Sequence, residues 1–144
     1  MITSTHHSGF VVKNLDSTIE FYRDILGLKV PHTFDLEGEA CSKLLGYDNA
    51  HVKGALLSAD SGHMLEFLEY VNPRPTERAS KERNVLSAGH FAFTVDDVDQ
   101  TYRDLTRRGM KGLNPPVELG PGVKACYAQD PDGNWIELLE LSEQ

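Results

Sequence analysis

An internal repeat restricts the folds open to this 144-residue chain more than any other feature of its sequence. The segment "HHSGFVVKNLD", which begins at His6, aligns with "GHFAFTVDDVD", which begins at Gly89, at a constant offset of 83 (90 minus 7). His7 then meets His90, and the residues that follow alternate in polarity in both segments, as they do on a strand. A repeat of this length indicates that one supersecondary unit occurs twice.

A helical pattern follows each of these first strands. The predicted N-caps are Asp16 in the first half and Asp97 or Asp99 in the second. Each pattern ends near a glycine, Gly27 or Gly109, which predicts a left-handed helix end. The residues of the predicted apolar faces are Ile19, Tyr22, Ile25 and Leu26 in the first helix and Val98, Tyr102 and Leu105 in the second.

Three further strands are predicted in each half, which makes the fold α+β. In the first half they lie near Lys29–Asp35, His51–Ala59 and "HMLEFLEY", with a short helix or a loop before the second of them. In the second half they lie near Lys111–Leu119, Val123–Gln129 and "WIELLEL". The polar, proline-bearing segment 73–86 reads as a linker between module one, residues 1–72, and module two, residues 87–144.

The last strand of each half carries a carboxylate in an apolar run. Glu66 stands between Leu65 and Phe67, and Glu137 stands between Ile136 and Leu138. Leucines also share the face of each glutamate, so strand alternation predicts no clean polar face. An ionised carboxylate is costly to bury unless a partner compensates its charge.

Two histidines and two glutamates therefore occupy corresponding places in the repeat: His7 and His90 near the starts of the first strands, Glu66 and Glu137 in the last strands. Taken singly, a strand histidine is usually a hydrogen-bonded structural residue, and a strand glutamate usually lies at an exposed edge. Taken together, two imidazoles and two carboxylates suit a divalent metal, whose charge the carboxylates balance. From the residues alone both interpretations stay open.

The overall charge excludes some classes of partner. Acidic residues outnumber basic ones 22 to 14, for a net charge of −8, which argues against a nucleic-acid or anionic-membrane binder. No apolar stretch is long enough to span a bilayer and no secretory signal pattern opens the chain, so we expect a cytosolic protein. Cys41 and Cys126 follow no metal or redox spacing and are expected to be free thiols, with a disulfide as the lesser alternative.

Three segments, "HHSGFVVKNLDSTIEFYRDILGL", "GHFAFTVDDVDQTYRDLTRRG" and "DPDGNWIELLE", resemble the vicinal oxygen chelate superfamily. That superfamily includes glyoxalase I, methylmalonyl-CoA epimerase, extradiol ring-cleaving dioxygenases and bleomycin- or fosfomycin-resistance proteins. The resemblance covers nearly the whole chain. It implies two βαβββ modules that form a cupped, incomplete β-barrel around a metal, with flanking helices. It also implies a homodimer, with the modules paired within one chain or across two.

The resemblance implies that His7, Glu66, His90 and Glu137 are the metal ligands, a set that resembles bacterial glyoxalase I. The implied metal is one divalent ion per site, nickel, zinc, cobalt or manganese rather than iron. A small substrate would chelate it through two adjacent oxygens while Glu66 or Glu137, left undecided, removes a carbon-bound proton.

Other members of the superfamily offer alternatives. Ring-cleaving dioxygenases use two histidines and one carboxylate, so the extra Glu66 argues against that activity. Acyl-CoA epimerases use the same proton chemistry but typically carry glutamine at the place of Glu66. Glutathione is not the expected thiol, because no arginine follows His7 and Tyr70 replaces the asparagine that glyoxalase I carries. A non-catalytic protein that sequesters a drug or metabolite is the alternative from another class.

Overall fold

The computed structural model of the chain describes residues 1–59, 62–78 and 81–142. The chain divides into two compact units, Met1–Glu77 and Arg78–Gln144. The division falls within the predicted linker 73–86. The module boundaries at residues 72 and 87 stay predictions.

The first unit contains one four-stranded sheet, with the strand order β1-β4-β3-β2. Strand β1 runs parallel to β4, and the other pairs are antiparallel. The prediction of a strand, a helix and three strands is confirmed, and the undecided segment after β2 is a helix. The elements are β1 (His7–Val11), α1 (Leu15–Glu20) with a π-helical continuation (Phe21–Ile25), β2 (Lys29–Glu37), α2 (Glu39–Leu45), β3 (His51–Ser58) and β4 (Met64–Asn72).

The second unit repeats this topology in a sheet with the order β5-β9-β8-β6, where β7 also pairs with β8. The prediction of a single strand over Lys111–Leu119 is wrong. That segment forms two strands because Pro115 and Pro116, which lie between them, have no N–H to donate to a ladder. The elements are β5 (His90–Thr94), α3 (Val98–Arg107), β6 (Lys111–Gly112), β7 (Val117–Gly120), β8 (Val123–Gln129) and β9 (Trp135–Leu141).

The two long helices begin at equivalent caps. The side chain of Asn14 accepts a hydrogen bond of 2.8 Å from the Ser17 N–H, so the prediction of Asp16 as the N-cap is wrong. Asp16 lies in the first turn instead, where its charge is favourable beside the positive end of the helix dipole. Of the two residues predicted as the second N-cap, Asp97 is the cap, because its side chain accepts a 2.8 Å bond from the Gln100 N–H, and Asp99 lies in the first turn.

Glycine follows each of these helices, as predicted. Gly27 has φ 81° and Gly109 has φ 103°, a left-handed region in which a side chain would be strained. The apolar face of the first helix differs from the prediction. Thr18 and Phe21 are buried, whereas Ile19 and Ile25 are only half-buried. Ile25 lies in the π-helical turn, which widens the spiral and rotates the residues in it.

Each helix packs on one face of its own sheet. In the first unit, Tyr22 stacks on Phe67 with the ring centroids 4.5 Å apart, and both side chains are fully buried. On this side of the sheets, eight apolar strand residues are at most 6% exposed; they are Ala55, Leu57, Leu65 and Phe67 in the first sheet and Cys126, Ala128, Ile136 and Leu138 in the second. Because successive strand residues alternate between faces, Glu66 lies on the face away from α1 and Glu137 on the face away from α3.

Both cysteines are free and buried, which confirms the expectation of free thiols. Burial raises the pKa of the Cys126 thiol to about 11, because a thiolate is poorly solvated there. Among the described residues, no helix is both long and apolar enough to cross a membrane.

A second pair of glutamates ties each last strand to the start of the helix. Glu69 accepts a hydrogen bond of 2.7 Å from the Leu15 N–H, and Glu140 accepts one of 2.8 Å from the Val98 N–H. Each lies three residues beyond Glu66 or Glu137 and therefore faces the helix side of the sheet. The last strand of each unit thus carries one glutamate on each face of the sheet. The helix-capping glutamates, Glu69 and Glu140, were not identified from the sequence.

We expect Glu140→Ala to lower the free energy of unfolding by about 1–2 kcal/mol, because it removes a charged acceptor from the first turn of α3. Glu69→Ala should act similarly on α1. Urea denaturation followed by circular dichroism measures both. The matched control is Glu118→Ala on β7, an exposed position that should change stability by less than about 0.5 kcal/mol. Equal losses in all three variants would contradict the capping role.

Candidate metal centre

The parallel pairing of β1 with β4 brings His7 and Glu66 together. Gly9 lies opposite Glu66, and His7, two residues earlier, points to the same face of the sheet. The His7 Nε2 atom lies 3.3 Å from Glu66 Oε2. The histidine side chain is 36% exposed and the glutamate 18%, so the pair can be reached from solvent but is partly sheltered.

The second unit contains the same arrangement. Ala92 lies opposite Glu137 on the parallel pair β5 and β9, and His90 is again two residues earlier. The His90 Nε2 atom lies 3.2 Å from Glu137 Oε2, with side-chain exposures of 47% and 17%. The two units therefore agree in the distance between the histidine Nε2 and glutamate Oε2 atoms as well as in sequence.

The neighbours of the two glutamates differ. Gly9 leaves room beside Glu66, because a Cβ at this position would lie 3.2 Å from the carboxylate oxygen Oε2. On the other side, Glu66 faces Leu56 of β3. Ala92 and Tyr127 occupy the corresponding places beside Glu137. The two halves thus share a scaffold but not the same surroundings.

Tyr127 is a candidate functional residue that sequence reasoning did not single out. Its hydroxyl lies 3.2 Å from His90 Nε2. Burial raises the pKa of Tyr127, and the neighbouring Glu137 carboxylate raises it further, so the phenol stays protonated near neutral pH. When the two halves are aligned by their last strands, at an offset of 71 (137 minus 66), Tyr127 corresponds to Leu56. This replacement of an apolar residue by a phenol is the sequence feature that could have identified Tyr127.

The remaining histidines make other contacts. His51 Nε2 lies 2.6 Å from Asp35 Oδ1, an imidazole–carboxylate pair with no counterpart in the repeat. His63 Nε2 lies 2.9 Å from the Ser8 hydroxyl oxygen. The contact between His51 and Asp35 shows that a histidine beside a carboxylate is not by itself distinctive in this chain. Repetition in register distinguishes the pairs that contain Glu66 and Glu137.

The spacing within each repeated pair fits coordination of a metal. Two ligands about 2.1 Å from one ion lie about 3.0 Å apart at a right angle and about 3.4 Å apart at a tetrahedral angle. The observed separations of 3.3 and 3.2 Å fall between these values. No group of three or more potential ligand side chains lies close together in the part of the chain that the structure describes. A complete site therefore requires more ligands than a single pair.

Known proteins share both the sequence pattern and the fold. The model of the Glyoxalase/Bleomycin resistance protein/Dioxygenase superfamily matches residues 4–138. A glyoxalase family protein from Bacillus cereus has a similar structure, with a TM-score of 0.88 at 24% identity over 99% of this chain and 97% of that chain.

Several relatives carry named activities, among them an epimerase and a lactoylglutathione lyase. A 2-epi-5-epi-valiolone epimerase from Actinomyces sp. is 30% identical, with 96% of this chain and 79% of the relative covered. A lactoylglutathione lyase from Schizosaccharomyces pombe is 29% identical over 96% of this chain, which spans 47% of that protein. The α+β fold of two repeated units and the family match confirm the resemblance that the sequence motifs indicated. This chain belongs to the Glyoxalase/Bleomycin resistance protein/Dioxygenase superfamily.

Proposed function

We propose that the protein is a glyoxalase-like metalloenzyme that transfers a proton on a small substrate chelated through two adjacent oxygens. Its metal ligands are His7, Glu66, His90 and Glu137. The observation that carries this proposal is the recurrence of one imidazole–carboxylate spacing, 3.3 Å and 3.2 Å, at matched registers of a duplicated unit. Both pairs also remain partly exposed to solvent, so that an ion can reach them.

The donor set favours a particular group of metals. Two imidazole nitrogens and two carboxylate oxygens suit nickel, zinc, cobalt or manganese, and the two negative charges balance a divalent ion. Such an ion would polarise the substrate oxygens and stabilise negative charge that develops on them. Held by these four residues, the ion would still have room for two oxygens of a substrate. Iron fits less well, because oxygen chemistry requires one more open position.

One of the two glutamates acts as the base that takes the carbon-bound proton. Both carboxylates are more than four-fifths buried, and each is bordered by strand residues that limit the access of water. Gly9 and Leu56 surround Glu66 with little competing polarity, whereas Glu137 has the Tyr127 hydroxyl nearby. The base is therefore either Glu66 or Glu137, and the glutamine variants described below identify which of them it is.

The named relatives support this class of reaction. One is an epimerase and the other is a lactoylglutathione lyase, and both epimerisation and the glyoxalase reaction proceed by proton transfer next to a carbonyl. Epimerisation is therefore the second candidate function. Glutathione itself is disfavoured, since the residue after His7 is Ser8 and the fourth residue after Glu66 is Tyr70. Assembly as a homodimer and a cytosolic location stay predictions.

We expect the purified protein to bind about one nickel or zinc ion per set of four ligands. His7→Ala and His90→Ala should each weaken binding by at least about tenfold, since even partners outside the coordination sphere contribute 10- to 100-fold. Isothermal titration calorimetry and metal analysis measure the affinity and the stoichiometry. His51→Ala is the matched control, because it removes a histidine that also pairs with a carboxylate. Absence of binding, or equal losses in all three variants, would overturn the metal assignment.

Turnover is expected with hemithioacetals of methylglyoxal or with acyl-CoA thioesters, and it should stop on chelation and return with added metal. At saturating metal, replacement of the base by glutamine in Glu66→Gln or Glu137→Gln should lower kcat by about 10²- to 10⁴-fold. The glutamine variant of the other ligand should lose mainly metal affinity.

Glu118→Gln is the matched control for this experiment, because it removes an exposed carboxylate of the second sheet and should leave kcat unchanged. Tight binding of these compounds without any turnover would favour the sequestering protein instead.

A further inference from the structure

A small pocket lies beside His90 in the second unit. Its volume is about 230 Å³, and its lining residues are Arg83, Ala88, Gly89, His90, Tyr127 and Trp135. One wall is therefore a proposed metal ligand, and the other polar walls are a guanidinium, a phenol and an indole. A group bound here would be adjacent to the proposed reaction centre.

Arg83 is held over the aromatic wall of this pocket. The carbon of its guanidinium lies 4.4 Å from the centroid of the Trp135 ring and 5.8 Å from that of Tyr127, both within the range of a cation–π contact. Among the described residues, no carboxylate forms an ion pair with Arg83, although the chain has 22 acidic residues. The guanidinium therefore presents its charge and its donors without an acidic partner.

The same walls include a further donor, the Tyr127 hydroxyl. Trp135 contributes its ring, since its side chain is buried at 9% exposure and its Nε1 atom is itself buried without a hydrogen-bond acceptor among the described residues. The Tyr127 hydroxyl lies against His90 Nε2, the nitrogen that we propose as a metal ligand. Once that nitrogen binds a metal it can no longer accept a hydrogen bond, so the hydroxyl can donate to the neighbouring Glu137 carboxylate or to an oxygen of a bound ligand.

The first unit does not repeat this polar pocket. At the offset of 71, Leu56 takes the place of Tyr127 and Met64 takes the place of Trp135. The strand registers agree with this alignment, since Met64 lies opposite His7 as Trp135 lies opposite His90. The concentration of donors around His90 is therefore a difference between the halves, not a consequence of the shared scaffold.

We propose that this pocket binds a carboxylate group of the substrate, with Arg83 as the charge partner, the Tyr127 hydroxyl as a neighbouring donor and the Trp135 ring as the support of the guanidinium. This inference rests on the proposed function, because the carboxylate belongs to the molecule that chelates the metal. A planar guanidinium offers paired N–H donors that match the two oxygens of a carboxylate. The substrate class is accordingly a small acid that carries two adjacent oxygens at some distance from its carboxylate.

The test compares two hydroxamates, which chelate metals through two neighbouring oxygens, on the zinc-loaded protein. The mono-hydroxamate of succinic acid and butanoic hydroxamate have the same chain length and differ in the terminal carboxylate. Binding is followed by the fluorescence of Trp135, the single tryptophan of the chain. We expect the anionic compound to bind about tenfold more tightly, and Arg83→Gln to abolish that preference. The glutaric and pentanoic pair repeats the comparison with one more carbon.

Arg103→Gln on α3 is the matched control, because it removes the same charge from the same unit at an exposed position. It should leave the preference unchanged. A purely structural role of Arg83 would weaken both hydroxamates alike and would not depend on the ligand's charge. Equal binding of both members of each pair by the wild-type protein would overturn the inference, as would a preference that survives Arg83→Gln.

A second arm separates this inference from the metal proposal. The metal-free protein is titrated with propionate and, as a neutral counterpart, propionamide at constant ionic strength. One outcome is that neither hydroxamate binds the zinc-treated protein, while propionate, but not propionamide, changes Trp135 fluorescence and does so only when Arg83 is present. The metal assignment would then be wrong, and the carboxylate pocket would be confirmed. If propionate also has no effect, both the metal assignment and the carboxylate pocket are overturned.

Discussion

Parallel pairing of the first and last strands is the constraint on which each unit depends. It sets Gly9 opposite Glu66 and Ala92 opposite Glu137, so that the histidine two residues earlier lies beside each glutamate. A slip of one residue would turn every side chain of the last strand to the other face. The same register sends the glutamate three residues later to the helix side, where it caps the helix that follows the first strand of its own unit. One pairing therefore determines both the helix start and the ligand spacing.

The apparent conflict of a carboxylate in an apolar strand is resolved by this division of faces. Leu65 and Phe67 are buried on the helix side, while Glu66 points away from the helix and meets His7. Glu137 is placed in the same way between Ile136 and Leu138. Neither carboxylate enters the helix-side core, so each can keep its charge without the full penalty of burial. The apolar run belongs to the helix interface, and the glutamates interrupt it on the opposite face.

Duplication supplies a symmetric scaffold on which the two halves have diverged. The histidine–glutamate spacing and the capping glutamates agree in both units to about 0.1 Å. The residues beside the glutamates do not agree, since Leu56 and Gly9 in one unit correspond to Tyr127 and Ala92 in the other. The two units therefore share the geometry of the histidine–glutamate pairs and of the helix caps, and differ in the residues around the pairs.

The sequence by itself determined the repeat, the α+β fold, the strands that carry His7, Glu66, His90 and Glu137, and the glycines that end the helices, because these follow from local periodicity and backbone conformation. Tertiary structure decided the π-helical turn, the division of the strand near Pro115 and the choice of Asn14 as the cap. It also decided the contacts of Tyr127 and Arg83, which join residues distant in sequence. Such contacts depend on strand register and on which face packs against a helix, and no local pattern encodes either.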